Sequence, residues 1–367
     1  MAGNSIGVIF RVTTWGESHG KALGAVIDGC PPGMELNASD IQKELDRRRP
    51  GSGGAASPRR EADLVEILSG VFEGKTTGTP IALAITNRDA RSDDYDHLRN
   101  LFRPGHGDYT YEKKYGIRDH RGGGRASGRE TAARVAAGAI AAKLLAAAGI
   151  SVTACTIALG GIATSVRNLA AVSENRFFSP DRDIVPQWEA ALAATRDRGD
   201  TLGGIVEIRV AGCPAGLGEP VFDKIDADLA KALMSIGTVK GVEIGAGFEA
   251  AEMGGSECND ALTPEGFATN HAGGTLAGIT NGEDILLRVA CKPIASIARP
   301  QRTIDIHGNP ASLTIGGRHD VCVIPRIIPV CEAMTCITLA DHLLRQRATG
   351  RFPETGAHRK DPSGGQR

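Results

Sequence analysis

Residues 127–150 read SGRETAARVAAGAIAAKLLAAAGI and predict the clearest helix of the chain. Ser127, followed three residues later by Glu130, has the pattern of a capping box, in which two side chains bond backbone N–H groups at a helix start. The helix is predicted over 130–148 and ends at Gly149, because glycine adopts the left-handed conformation of a helix C-terminus at little cost. This run is the most apolar of the chain, but two basic residues interrupt it. No stretch of about 18 apolar residues exists, so no membrane span is expected.

Other helices and strands flank this helix without a regular β-α-β rhythm. A second capping box, Ser39-Asp40-Ile41-Gln42, opens a helix that runs to Arg49 and ends at Pro50-Gly51. Further helices are predicted over 223–236 and 331–347, and strands over 65–71, 80–86, 151–159, 205–210 and 285–290. No Gly-x-Gly-x-x-Gly follows a strand and no Walker-type loop is present. The pattern therefore predicts an α+β fold with antiparallel sheets.

The composition predicts one globular domain with a core of small aliphatic side chains. Hydrophobic residues make up 41% of the 367 residues and aromatic residues only 4%, so Ala, Val, Ile and Leu must fill the core. The domain is expected over 1–348, followed by a polar, disordered tail over 349–367. A formal net charge of −1 excludes a globally basic nucleic-acid binder, although a local basic site is still compatible with it.

The eight cysteines point to a reducing compartment rather than to a disulfide framework or a metal site. None forms a CxxC pair, and no Cys/His spacing suggests zinc, so no metal is expected. The closest two, Cys331 and Cys336, fall within one predicted helix. No secretory signal is visible at the N-terminus. We therefore expect a cytoplasmic protein with buried, reduced thiols.

Two histidines lie between glycines in turns, which is unusual for structural histidines. His19 lies in Gly16-Glu17-Ser18-His19-Gly20, directly after a strand-like run, and His106 lies in Arg103-Pro104-Gly105-His106-Gly107-Asp108. The reference pKa of histidine, about 6.5, suits it to donate or accept a proton at cellular pH. These two turns therefore predict proton-transfer chemistry.

An arginine-rich, glycine-rich segment accompanies these turns. From Asn87 to Arg129 the chain is polar and about forty residues long, which is too long for an ordinary connection. Its arginines, together with a cluster at 47–49, predict a site for an anionic ligand, because a guanidinium grips carboxylate and phosphate in a planar fork. Surface ion pairs with Asp108, Glu112, Asp119 and Glu130 are the alternative. The arginines concerned are Arg47, Arg48, Arg49, Arg103, Arg118, Arg121, Arg125, Arg129 and Arg134.

Together these segments resemble the chorismate synthase family over about residues 1–347. Residues 16–31, residues 124–138 and residues 318–333, the last beginning Arg318-His319-Asp320-Val321-Cys322, are similar to its three signatures and occur in the same order. The resemblance implies a β-α-β sandwich with helices between antiparallel sheets, usually assembled as a homotetramer. It also implies a phosphate lyase of the shikimate pathway, which converts 5-enolpyruvylshikimate 3-phosphate into chorismate by a 1,4-anti elimination. Reduced FMN is required although there is no net redox change.

The resemblance also implies a role for each matched residue. His19 would protonate the leaving phosphate, His106 would hold a proton near the flavin and favour its monoanionic reduced form, and Asp320 would help flavin N5 take the substrate hydrogen. The substrate anions would be gripped by Arg48, Arg103, Arg129 and Arg318. The flavin contacts would be Arg125, Ala126, Ser127, Gly237, Thr238, Ala277, Lys292, Pro293, Ile294, Ala295, Ser296 and Arg318.

The chain departs from the family pattern at two positions. Gly54 stands where an arginine is expected, which predicts weaker substrate binding or replacement by Arg59 or Arg60. Ala277 stands where a glycine is usual, which predicts a slightly tighter flavin pocket. No large insert is present, so we expect a monofunctional enzyme that relies on an external flavin reductase and on NADPH only indirectly.

Two other classes of function are compatible with parts of the sequence. Arg121-Gly122-Gly123-Gly124-Arg125 is similar to RNA-binding RGG segments, but the motif occurs once and lies beside a strong helix in a neutral protein. RNA retention that depends on salt, without chorismate formation, would favour that function. A flavoprotein with net redox chemistry is the other alternative, and stoichiometric consumption of reduced flavin would favour it.

Overall fold

The computed structural model describes residues 3–49, 63–87, 98–316 and 320–350. Within these ranges the helices are α1 Ala38–Arg48, α2 Asp108–Tyr115, α3 Thr131–Ala146, α4 Val185–Asp197, α5 Ile225–Met234, α6 Gly255–Cys258 and α7 Ile324–Thr349. The longer strands are β2 Arg11–Gly16, β3 Ala22–Asp28, β7 Ile81–Thr86, β8 Ser151–Leu159, β10 Gly204–Ala211, β11 Val239–Ile244 and β16 Ile285–Cys291. The shorter strands are β1 Ser5–Ile6, β4 Val65–Ile67, β5 Val71–Phe72, β6 Lys75–Thr76, β9 Ile162–Ala163, β12 Leu262–Thr263, β13 Gly266–Phe267, β14 Thr275–Leu276, β15 Ile279–Thr280, β17 Gln301–Ile304 and β18 Pro310–Leu313.

Two five-stranded antiparallel sheets form the outer layers. The first has the strand order β1-β2-β3-β7-β4 and the second β11-β16-β10-β8-β9. Burial alternates along β7 and β16, as the period-two geometry of a half-buried strand requires: Ile81, Leu83 and Ile85 of β7 face the core while the residues between them are partly exposed. Each sheet therefore presents one apolar face inward.

The helices lie between these two apolar faces. Helix α3 packs on β2, β3 and β7 of the first sheet, α7 packs on β8 and β10 of the second, and α3 and α7 pack against each other. Helix α1 joins them at the first sheet and α5 at the second. The predicted sandwich of helices between antiparallel sheets is confirmed, with a helical layer that is two helices deep.

Gly138 of α3 lies directly against Ala333 of α7. A Cβ added to it would lie 2.3 Å from the Cβ of Ala333 and 2.5 Å from its Cα, so only glycine fits. Helix α7 is long and apolar enough to cross a membrane, but the window that meets this criterion is entirely buried inside the structure, as in the core helix of a globular protein. Its residues from Ile324 to Leu344 are almost all buried, on both flanks of the helix.

Several predicted boundaries shift in the structure. The capping box of α1 is formed by Asn37 with Asp40 rather than by Ser39 with Gln42, because the Asn37 side chain accepts from the Asp40 N–H and Asp40 from the Asn37 N–H. Ser127 accepts from the Arg129 N–H and caps a short 3-10 turn, Gly128–Glu130, so that α3 itself begins at Thr131. The predicted strand over 65–71 is interrupted at Gly70, which has a φ of +79°.

Two other expectations concern the C-terminal end and the cysteines. Helix α7 extends to Thr349, and the rest of the predicted tail, 351–367, lies outside the described residues. Seven of the eight cysteines are buried, and only Cys258 is half-exposed. All eight are free thiols, as predicted, and burial raises the pKa of Cys30 to about 11 and that of Cys322 to about 12.

Candidate active site

A large cleft, about 1310 Å³ in volume, lies where the start of α3 and the start of α7 meet the turns at 103–108 and 122–130. The turn at Gly237–Thr238 and the segment after β16 complete its wall. Among the described residues, nine cationic and six carboxylate side chains line it, an excess of three positive charges. A cleft of this charge favours an anionic ligand.

Most of the predicted site residues line this one cleft. These are His106, Asp320, Arg48, Arg103, Arg129, Arg125, Ala126, Ser127, Gly237, Thr238, Lys292, Ile294, Ala295 and Ser296. His19 and Pro293 belong to lining segments without being in the lining themselves, and Ala277 lies away from it in the turn between β14 and β15. Arg318, Gly54, Arg59 and Arg60 lie outside the described residues.

Arg48 and Arg129 meet at one buried carboxylate, that of Asp63. Arg48 Nη1 lies 3.1 Å from Asp63 Oδ2, and Arg129 Nη1 pairs with Oδ1. Arg48 also donates from Nε to Thr131 Oγ1 at 3.0 Å and from Nη2 to the Gly128 carbonyl at 2.7 Å. Burial, followed by the charge of Arg326, lowers the pKa of Arg48 to about 9, so the guanidinium is still charged at neutral pH.

A second buried carboxylate, Asp108, orders the turn that carries His106. Arg103 binds it in two places, with Nε 2.8 Å from Oδ2 and Nη2 2.7 Å from Oδ1, and Arg118 Nη1 lies 3.0 Å from Oδ2. Burial would raise the pKa of Asp108, but the hydrogen bonds and charge of Arg103 outweigh it and the pKa is lowered. Arg103 also donates to the carbonyl of Gly122, which joins the two turns.

Arg125 attaches the 122–130 turn to strand β2. It donates to Thr14 Oγ1 at 2.7 Å and to the carbonyls of Thr14 and Gly16. The Arg121-to-Arg125 stretch is therefore an ordered turn. Of the alternative surface pairs, the one between Arg121 and Asp119 is exposed, whereas those at Asp108 and Glu130 are buried inside the cleft wall.

The hydrogen bonds of His106 define which of its nitrogens carries a proton. Nδ1 lies 3.0 Å from the Pro104 carbonyl, and a carbonyl only accepts, so Nδ1 carries hydrogen. Nε2 lies 2.9 Å from Ser296 Oγ, whose hydroxyl can donate to the neutral imidazole or accept from the imidazolium. The ring can thus gain or lose a proton at Nε2 without losing either partner.

His19 lies against the glycine turn at 122–124. Its Nδ1 is 3.1 Å from Ser18 Oγ, and a Cβ added to Gly122 would lie 2.2 Å from the same nitrogen. Gly122 has a φ of +152°, which side chains rarely allow. Glycine at this position therefore lets the 122–124 turn approach the imidazole.

Asp320 and Arg326 form an ion pair in the cleft lining, at the start of α7. Arg326 Nη1 lies 2.7 Å from Asp320 Oδ2, and Asp320 is buried. On the neighbouring segment, burial and then the charge of Lys240 lower the pKa of Lys292. A Cβ added to Gly105 would lie 2.8 Å from the Ala295 Cβ, so the 103–108 turn packs directly on that segment.

Sequence reasoning missed three residues that organise this site: Asp63, Asn87 and Arg326. Asn87 accepts from Arg129 Nε at 2.9 Å and donates to the carbonyls of Glu17 and Gly20, beside His19. No local pattern marks Asp63 or Asn87, because the arginines that they bind lie far away in sequence. Arg326 lies within the third signature segment, 318–333, six residues after Asp320, and that position was the one available signal.

Comparison with known proteins supports the resemblance over nearly the whole chain. The family model described as chorismate synthase matches residues 10–344. The chain is 68% identical over 351 residues to the chorismate synthase of Syntrophus aciditrophicus (strain SB), covering 95% of this chain and 99% of that protein. It is 62% identical over 349 residues to that of Desulfosudis oleivorans, covering 95% and 99%.

A crystal structure of chorismate synthase agrees with the fold. It aligns with a TM-score of 0.75 and 33% identity, covering 93% of each chain. The sequence and structural matches coincide with the segments that build the cleft. The chain therefore belongs to the chorismate synthase family.

Proposed function

We propose that this cleft holds 5-enolpyruvylshikimate 3-phosphate beside reduced FMN and catalyses the 1,4-anti elimination of phosphate that yields chorismate. The chain belongs to the chorismate synthase family, and chorismate synthase is the function of that family. The observation that carries the proposal for this cleft is the excess of three cationic side chains in a space bordered by His106 and the His19 turn. A substrate with two carboxylates and a phosphate carries about four negative charges at neutral pH, which this excess offsets in large part.

The cleft fits a flavin together with a substrate. Ligand pockets commonly occupy about 300–1,000 Å³, and this cleft is larger than that range. Glycines leave its wall open: a Cβ added to Gly124, Gly128 or Gly237 would meet nothing within 4 Å, which leaves room for a planar ring against the backbone. The residues that would hold FMN are Arg125, Ala126, Ser127, Gly237, Thr238 and the segment Lys292 to Ser296.

When bound, reduced FMN would supply electron density that stabilises the electron-poor centre left as phosphate departs. The arginines bind and orient the substrate anions. Arg48, Arg103 and Arg129 are already held by carboxylates, so their guanidinium groups are in place before the ligand arrives. Such preorganised charges cost no rearrangement during reaction.

The two histidines move or hold protons at two different turns of the site. We assign to His19 the proton that the departing phosphate accepts, because phosphate leaves more readily once its oxygen is protonated. His106 keeps a proton on Nδ1 and exchanges one at Nε2 with Ser296 as its partner. Asp320, held by Arg326, would assist flavin N5 in taking the hydrogen that the substrate loses.

The other expectations extend this proposal. We propose a monofunctional, cytoplasmic homotetramer that receives reduced FMN from an external reductase, with NADPH acting only through that enzyme. Turnover of the pure protein with NADPH and oxidised FMN would contradict the monofunctional assignment. Stoichiometric oxidation of the flavin during turnover would favour net redox chemistry instead.

An anaerobic assay with photochemically reduced FMN tests the histidine roles. We expect wild type to form chorismate, and His19→Ala and His106→Ala to lose at least about 100-fold in kcat, the usual range of acid–base catalysis. His307→Ala is the matched control, because this histidine is exposed at the β17–β18 turn and away from the cleft lining. Near-wild-type kcat in both cleft variants would refute the assignment.

A further inference from the structure

Asp63 lies between the two arginines that are expected to bind the substrate. Each of its oxygens takes one guanidinium, Oδ2 that of Arg48 and Oδ1 that of Arg129. The side chains of Asp63, Arg48 and Arg129 are only 3%, 2% and 7% exposed, so water contributes little to screening their charges. Two guanidinium groups this close and this buried repel each other, and the carboxylate between them offsets that repulsion.

The two ion pairs of Asp63 connect three segments that are distant in sequence. Arg48 comes from the last turn of α1 and is also bound to Gly128 and Thr131 at the start of α3. Arg129 comes from the 3-10 turn before α3 and donates to Asn87, which in turn holds the loop of His19. Asp63 is therefore the point at which α1, the start of α3 and, through Asn87, the His19 loop are held in one arrangement.

The backbone of Asp63 also has an uncommon conformation. Its φ is +47°, in the left-handed region that residues other than glycine seldom occupy, although Asp is among those that tolerate it best. Such conformations persist only where the surrounding contacts hold them, and they concentrate at functional sites. Among the described residues, Arg48 and Arg129 bind its side chain, and Asp63 is part of the cleft lining.

We propose that Asp63 is a positioning residue for catalysis: it sets the spacing of Arg48 and Arg129 and limits how tightly they hold an anion. This inference rests on the proposed function. With the carboxylate present, the arginines are fixed but partly neutralised, so the substrate anion is oriented without being bound so strongly that released phosphate stays. Without the Asp63 carboxylate, Arg48 and Arg129 attract anions more strongly but are no longer held at a fixed spacing.

The test compares Asp63→Asn with Asp63→Glu in the anaerobic assay and in calorimetric titration with inorganic phosphate. In Asp63→Asn we expect kcat to fall about 10- to 100-fold, because misplacement by about 1 Å can cost that much. We expect KM not to rise, and phosphate to bind about tenfold tighter because one negative charge is gone. Asp63→Glu keeps the charge but changes its reach, so kcat falls while phosphate affinity stays at the wild-type value.

A matched control and two contrary outcomes make the test decisive. Asp46→Asn removes a carboxylate of α1, the helix that carries Arg48, from an exposed pair with Arg49 outside the cleft. This variant should leave kcat, KM and phosphate affinity unchanged. Wild-type kcat in Asp63→Asn, or unchanged phosphate affinity, would overturn the proposal. If Asp63→Asn does not fold, wild-type kcat in Asp63→Glu overturns it. Absence of chorismate from wild type would instead refute the proposed function, whereas the phosphate titration does not depend on turnover.

Discussion

The contact between Gly138 and Ala333 yields a prediction in which two opposed effects of known size compete. Gly138→Ala would favour the helix by about 1 kcal/mol, because alanine has the higher helix propensity. The added Cβ would lie 2.3 Å from the Ala333 Cβ, whereas ordinary contacts begin at 3.4 Å. The two helices must therefore separate by about 1 Å, although each is packed against a sheet on its other side.

The clash should outweigh the gain in propensity. Overpacking of a well-packed core costs about 1–3 kcal/mol, and more where backbones rather than flexible side chains must move. We expect the free energy of unfolding to fall by about 1–2 kcal/mol after the propensity gain is subtracted. Both helices carry cleft residues at their N-terminal ends, so kcat should fall as well. Urea unfolding followed by circular dichroism measures the first quantity and the anaerobic assay the second.

Exchanging the methyl group between the two helices separates the clash from other effects. Ala333→Gly alone should destabilise by about 1 kcal/mol. The double variant Gly138→Ala with Ala333→Gly should recover only part of the stability, because the added Cβ would still lie 2.5 Å from the Cα at position 333, and the coupling energy should be about 0.5–1 kcal/mol. Gly255→Ala is the control, since a Cβ there meets nothing within 4 Å. A Gly138→Ala protein as stable as wild type, or strictly additive single effects, would refute the reasoning.

Two further predictions concern buried carboxylates. Asp341 Oδ1 accepts hydrogen bonds from the N–H groups of Val8, Ile9 and Phe10 at 2.9, 2.6 and 2.9 Å. Asp341→Ala should therefore lower the free energy of unfolding by about 2–4 kcal/mol, and Asp341→Asn should lower it by less. Equal losses for the two variants in urea unfolding would contradict this. The pKa of Asp108 is lowered in the folded state, so its stabilising contribution is complete above its ordinary value of 3.8 and is lost as pH falls through the lower folded value. Asp108→Asn should therefore be less stable than wild type at neutral pH and approach it in acid, and a difference that persists at the lowest pH of the urea series would count against this.

Helix and strand content was largely predictable because it depends on neighbours in sequence. Short-range sequence patterns placed β8 and α5, and Gly149 marked the helix end, since each signal lies within a few residues. The caps were less predictable. Ser39 and Asn37 compete for the same role, and which side chain reaches the free N–H groups depends on the chain's direction of entry. Helix α4 was missed because its apolar residues form only a weak stripe.

The same distinction between local and distant signals applies to the residues of the candidate site. The glycine-bounded histidines and the arginine-rich segment were visible in the sequence, because a turn needs glycine and an anion needs arginine at those points. Asp63 was not visible, although it contacts two predicted arginines, because it lies 15 residues from one and 66 from the other. A lone aspartate after a glycine-rich stretch carries no local signal for such a role.

By itself, then, the sequence determined the local pieces of this protein: the amphipathic strands, the alanine-rich helix with its ending glycine, and the turns that present His19 and His106. Tertiary structure alone decided that Arg48 and Arg129 share one carboxylate, that Arg125 holds β2, and that Gly138 touches Ala333. The physical reason is that local conformation follows from backbone dihedrals and short hydrogen bonds. Charge pairing in a cleft and the approach of two helices depend on burial, and burial exists only once distant segments have packed together.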